Sequence, residues 1–199
     1  MSLDPSFLLL LGLRMAIAAS FVVSASMIAE RTGPVIGALV ATLPISAGPT
    51  YVFLALDHDA AFIAQGALTS LPINAATIFL SLAYAVLAQR HSVLVASATA
   101  VAVWLGLAAL IKSLQWTLSM GIAANIITFA ICLPLLQRYR HAKMPLITRR
   151  WYDVPLRASL VATLVATVTS VSGWAGPSVS GILALFPTVF TSMMLILQP

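Results

Sequence analysis

The stretch GPVIGALVATLP, residues 33–44, is answered 143 positions later by GPSVSGILALFP, residues 176–187. Each opens on Gly-Pro and reaches a second proline at the same distance. Working outward without a gap, Leu13 aligns with Leu156, Arg14 with Arg157, Ala19 with Ala162 and Val22 with Val165. Within the stretches, Gly33, Pro34, Ala41 and Pro44 align with Gly176, Pro177, Ala184 and Pro187. Apolar matches are common in an apolar chain, so the informative part is the spacing Arg-x18-Gly-Pro-x9-Pro, written twice. It reads as an internal duplication. The second copy is partial: residue 199 aligns with Leu56, and nothing in it corresponds to the middle of the first.

Composition fixes the solvent. Of 199 residues, 61% are hydrophobic and 8% are charged, with a mean hydropathy of +1.05. A water-soluble surface needs roughly 25% charged residues, so most of this surface must meet lipid. Segments 32–56, 60–89, 92–111 and 113–137 contain no Asp, Glu, Lys or Arg, and a bilayer-crossing helix needs about 20 such residues. Lipid offers no partners to an open sheet edge, whereas a helix satisfies its own backbone. The expected fold is an all-α polytopic membrane protein forming one membrane domain, residues 1–199. Copy one covers about 5–137, the partial copy two about 154–199, and a basic loop 138–153 joins them.

The pattern predicts seven transmembrane helices, at 5–29, 33–56, 60–88, 92–111, 114–137, 154–173 and 177–198. Asp4-Pro5 and Asp153-Val154-Pro155 read as capped starts, with proline where its missing N–H is harmless. Trp151 and Tyr152 suit a membrane interface. The N-terminal apolar run lacks a basic leader and is interrupted by Arg14, so it reads as a retained helix and not a cleaved signal.

With seven spans, Arg31, Arg90, Arg138, Arg140, Lys143, Arg149 and Arg150 share one face, and Lys112 stands on the other with Asp4, Asp57 and Asp59. Lysine and arginine accumulate in cytoplasmic loops, which predicts an outside N-terminus and a cytoplasmic C-terminus. A re-entrant hairpin over 33–56 is a second solution compatible with the charges. Orientation also explains the net charge of +5 without nucleic acid as a partner. The copies begin five spans apart, an odd number, so helices 1–2 should be inverted against helices 6–7. Carriers built this way place cargo where broken helices meet near the midplane, here at Pro44 and Pro187.

The segment SGILALFPTVFTSMMLIL, residues 180–197, resembles GlpM-like small bacterial membrane proteins through Gly-x-Leu-x-x-Phe-Pro-Thr. A looser likeness covers 37–56. The resemblance implies a multi-pass protein of the bacterial inner membrane and supplies no reaction or ligand.

Among candidate binding residues Arg14 stands out. Nine residues beyond Pro5 put it about 13–14 Å along the helix, near the middle of a hydrocarbon core about 30 Å thick. A guanidinium there should face a cavity, a partner or an anionic ligand; the alternative is a later helix start and an arginine snorkelling to the surface. Arg157 lies close to the basic loop and reads as an interfacial anchor. Pro44, Pro72 and Pro187 each remove a helix hydrogen bond, with Ser46, Thr50, Asn74, Thr188 and Thr191 among the polar neighbours. The candidate solute site is therefore Arg14, Pro44, Ser46, Thr50, Asn74, Pro187, Thr188 and Thr191. Hydroxyls capping local carbonyls at packing kinks would produce the same pattern without a ligand. Asn125 reads as a tie to a neighbouring helix, and Asp57-His58-Asp59 as a solvated outer turn.

No Ser-His-Asp set, HExxH motif or phosphate-binding glycine loop occurs, so no enzyme, cofactor or metal is expected. One cysteine, Cys132, excludes an internal disulfide. No predicted span contains Asp or Glu, which weighs against carboxylate-coupled transport. The function expected is a small secondary transporter or permease moving a small anionic solute by alternating access. Its partners are the lipid bilayer, the solute and, to cover an unmatched face, a second copy in a homo-oligomer. A non-transporting membrane subunit or assembly module is the alternative, and a passive channel the third reading.

Overall fold

The structure, a computed structural model, describes residues 5–31, 46–137 and 152–188. Every regular element among them is helical: α1 (Pro5–Arg31), α2 (Ala47–Asp57), α3 (Ala60–Leu87), α4 (Val93–Ser113), α5 (Leu118–Gln137) and α6 (Asp153–Ala184). Five, all but α2, are long and apolar enough to cross a membrane. Their outward surface fits that solvent, with Leu9 75% exposed on α1 and Ile126 63% exposed on α5. Those side chains would be costly in water and are at home among acyl chains.

Helix α3 is the hub, packing against α2, α4, α5 and α6. Ile73, Ala76 and Leu80 form its core with Ala100, Trp104, Ala108 and Ile111 of α4. The small alanines let α4 approach, and Trp104 donates its Nε1–H to Thr77 Oγ1 at 3.1 Å. On the other side, an alanine at Gly121 of α5 would place its Cβ 2.9 Å from Leu71 Cβ. The α2–α3 turn is tied by all three of its polar residues. Asp57 binds Arg14, His58 stacks on Phe62 with ring centroids 3.8 Å apart, and Asp59 accepts from Phe62 N at 2.9 Å to cap α3. The solvated turn expected at 57–59 is thus a junction of helices, although Asp57 and Asp59 keep exposed surface.

Gly176 is where α6 changes character. It has φ 80° and ψ 175°, a conformation essentially confined to glycine, and Pro177 restarts the helix behind it. Leu183 and Phe186 pack on the cluster that holds Leu164 and Val168. In one straight helix Leu164 and Leu183 would lie about 28 Å apart. The chain therefore folds back at Gly176, giving α6 a long first limb, 153–175, and a short second limb, 177–184. The Gly-Pro turn expected at 176–177 is present. The second limb stops at Ala184 and residues 185–187 are not helical, so the helix is interrupted where Pro187 was expected to break it.

One expectation needs correction, and two others fall largely outside the described residues. Asp153 is the first residue of α6 and not its cap; Tyr152 holds the cap position without a side-chain bond. Of the predicted span 33–56, residues 32–45 with Pro44 lie outside the described residues, and what remains is α2. At 11 residues, α2 is about 16 Å long, half the thickness of a bilayer core. Of the predicted span 177–198, only 177–188 is described.

Contacts set the directions. Arg14 meets Asp57 and Phe53, while Ala18 and Val22 also meet Phe53, so α1 and α2 are antiparallel. Phe53 packs on Val161 and Val165, Leu54 on Leu164 and Val168, and His58 bonds Ser172, so α2 runs with the first limb of α6. Hence α1 and that limb are antiparallel. The starts of α1 and α3, the α4–α5 loop and Gly176 gather at one end. The α3–α4 turn with Arg90 and the start of α6 lie at the other.

Candidate functional site

Two half-length helices, α2 and the second limb of α6, meet against the middle of α3. Burial there is unusually polar: Ser46, Thr50, Thr69, Ser70, Ser180 and Thr188 are all buried. Most of these hydroxyls serve their own helix. Thr50 donates to Ser46 O at 2.8 Å, Thr69 to Gln65 O at 3.1 Å and Ser180 to Gly176 O at 2.9 Å, the local pattern that bends helices.

Ser70 is different because it reaches across. Its hydroxyl donates to Gly181 O at 2.9 Å. That bond uses its one proton, so the 2.5 Å contact with Tyr51 runs from the Tyr51 hydroxyl to Ser70 Oγ. A relay from α2 through α3 to the second limb results. Glycine makes it reachable: a Cβ on Gly181 would stand 2.3 Å from Gly66 O, and one on Gly66 would stand 3.2 Å from Pro177 O. Where hydrocarbon supplies no partners, such bonds hold the elements in register.

Arg14 has the partner that its depth demanded, and that partner is Asp57. Its Nη2 donates to Asp57 Oδ1 at 2.7 Å, and Nη1 binds Oδ2. The side chains are 12% and 32% exposed, respectively. The guanidinium also lies 5.8 Å from the centroid of the Phe53 ring, within cation–π range. Arg14 is consequently not a lone charge, and its positive field is offset before any solute arrives. None of the five long apolar spans contains Asp or Glu, but Asp57, the last residue of the short α2, brings a carboxylate against α1. Reading "DHD" as a loop hid it. Arg157, which aligns with Arg14, is half-buried near the start of α6.

Asn74 is held by another helix. Its Nδ2 donates to Asn125 Oδ1 at 2.8 Å, and Asn125 Nδ2 donates to Leu71 O at 2.8 Å and Gly121 O at 2.9 Å. Asn125 is the interhelical tie expected of it, and Asn74 is its counterpart. Replacing Asn125 with Leu should lower stability by about 1 kcal/mol, the range for polar ties in membrane helices. Thermal unfolding in detergent would show it, and Asn74→Leu in the same background should add little, because the pair is one unit.

Pro187 and Thr188 are buried beyond the second limb, where Phe186 sets its ring edge-on to Trp104 at 5.2 Å. Ser46 and Thr50 stand at the start of α2. Pro44 and Thr191 lie outside the described residues. Sequence reading missed Gly66 and Gly181, although glycine inside an apolar helix is the usual mark of close helix approach. The contact of Tyr51 with Ser70 has no sequence signal, since nothing in the pattern sets α2 across α3.

The arrangement offers hydroxyls, backbone carbonyls and a neutralised ion pair, a set that holds polar groups by hydrogen bonds. Among the described residues, no three His, Cys, Asp or Glu side chains group as metal ligands. Comparison with protein-family models, with curated proteins and with solved structures finds no match for this chain.

Proposed function

We propose that the chain is a small secondary carrier of the bacterial inner membrane, moving a small solute by alternating access between two inverted copies. The observation that carries this reading is the core between α1 and the first limb of α6. Ala18 and Val22 pack there against Val161 and Val165, and the 143-residue shift of the repeat turns 18 and 22 into 161 and 165. Equivalent residues packing on each other across antiparallel helices is the arrangement that a two-fold axis in the membrane plane would give. Copies related by that axis present one set of groups to either face. The half-helices α2 and 177–184 support the same reading. They come from different copies, although the 143-residue shift does not map one onto the other, and both adjoin Ser70 of α3.

In this arrangement the N-terminus is outside, the C-terminus is cytoplasmic, and the solute passes the Tyr51–Ser70–Gly181 relay. Two labelling experiments test it in a Cys132→Ser background. With a membrane-impermeant thiol reagent on intact cells, Ala175→Cys should label and Thr32→Cys should not; labelling at both would remove the inverted topology. Ser70→Cys should react from outside in cells and from the cytoplasmic face in inverted vesicles. A subunit that only packs against other helices would leave it unreactive from either face.

A further inference from the structure

A second polar feature lies outside the relay. At the end of the bundle that carries Gly176, a cavity of about 420 Å³ is lined by Gln65 and Thr69 of α3, Lys112 of α4, Gln115 and Trp116 of the α4–α5 loop, and Ser178 of the second limb. Its wall is mainly polar in a chain that is 61% hydrophobic. The volume is within the roughly 300–1,000 Å³ of small-ligand sites. None of its lining residues is acidic, and Lys112 has no carboxylate partner among the described residues. Trp116 is fixed in the wall, donating Nε1–H to Ile111 O at 2.9 Å. The floor adjoins the relay: Thr69 precedes Ser70, and Ser178 is one turn before Gly181.

We propose that this pocket is the outward binding site of the solute, and that it recognises one singly charged oxyanion, a carboxylate above all. Lys112 supplies one unit of positive charge, and the Gln65 and Gln115 amides with the Ser178 hydroxyl supply neutral donors, while the Thr69 proton is already given to Gln65 O. A monoanion is neutralised by that set. A dianion would retain a net negative charge there, with no arginine fork to hold it. The anionic preference thus belongs to Lys112 and not to the already paired Arg14. Only the pocket's place on a transport route rests on the carrier reading; binding itself does not.

The phosphodiester of a lipid headgroup has the same charge chemistry, so the test has two arms. The purified full chain in maltoside micelles is titrated with sodium acetate, lactate or benzoate, against sodium chloride at equal ionic strength, while tryptophan fluorescence is read. The expected result is a saturable change with at least one carboxylate, absent in Trp116→Phe and shifted at least tenfold to higher concentration in Lys112→Gln. In the second arm, phosphatidylglycerol is added to the same micelles. Saturation by that lipid with no response to any of the carboxylates would assign the pocket to lipid and overturn the solute site. No saturable response in either arm, or a response unchanged in Lys112→Gln, would overturn it as well. Carboxylate binding alongside a Ser70→Cys protected from both faces would leave this site standing and remove the carrier.

Discussion

Gly181→Val should be among the most damaging single substitutions in the described core, lowering stability by about 3 kcal/mol or more. A Cβ at position 181 would sit 2.3 Å from the carbonyl oxygen of Gly66 and 2.9 Å from its carbon. The obstacle is helical backbone of α3, so no side-chain rotation relieves it; the second limb must move away. Moving it breaks the Ser70 bond to Gly181 O and, through it, the link to Tyr51. It also withdraws Ile182 from the core it shares with Ile73 and Trp104. In detergent the midpoint of thermal unfolding should fall by about 10 °C, or the variant should fail to accumulate. Gly106→Ala is the control, since a Cβ there meets nothing within 4 Å. A melting point for Gly181→Val equal to that control would show that the two backbones do not touch.

The second large effect is expected at Asp57. Removing the carboxylate in Asp57→Ala leaves the Arg14 guanidinium, only 12% exposed, beside the Phe53 ring with no counter-charge. Breaking a buried pair costs about 3–5 kcal/mol and an exposed one about 0–1 kcal/mol. With Asp57 32% exposed, the loss should lie between, at about 2 kcal/mol. Replacing both partners by apolar residues, Arg14→Met with Asp57→Leu, should recover most of the loss, because neither charge is then stranded. Chemical unfolding of the two single variants and the double variant gives the coupling directly. Additive losses would mean that the pair is not energetically linked, whatever its geometry.

Helix existence was legible in the sequence because it depends on local matters: apolar length, missing charge and Gly-Pro punctuation. Helices α3, α4 and α5 lie within a few residues of their expected ranges for that reason. The fold-back at Gly176 was also readable, since proline after glycine marks a restart. What could not be read depends on which faces meet. The Arg14–Asp57 pair joins residues 43 apart, and the Ser70–Gly181 bond joins residues 111 apart. The pocket around Lys112 draws on three helices and a loop, each contributing ordinary polar residues with no motif among them. Asp57 is illegible for a different reason: charge marks loops in an apolar sequence, and a charge that completes a helix looks the same as one in a turn.

Gly176 has one more consequence, a matter of parity. By hydropathy alone, residues 154–184 form a single crossing, and a single crossing would deliver the chain to the face opposite its entry. Folding back at one left-handed residue reverses that arithmetic. The chain leaves Ala184 heading toward the face on which α6 began. The direction of residues 177–184 is therefore decided by one backbone torsion.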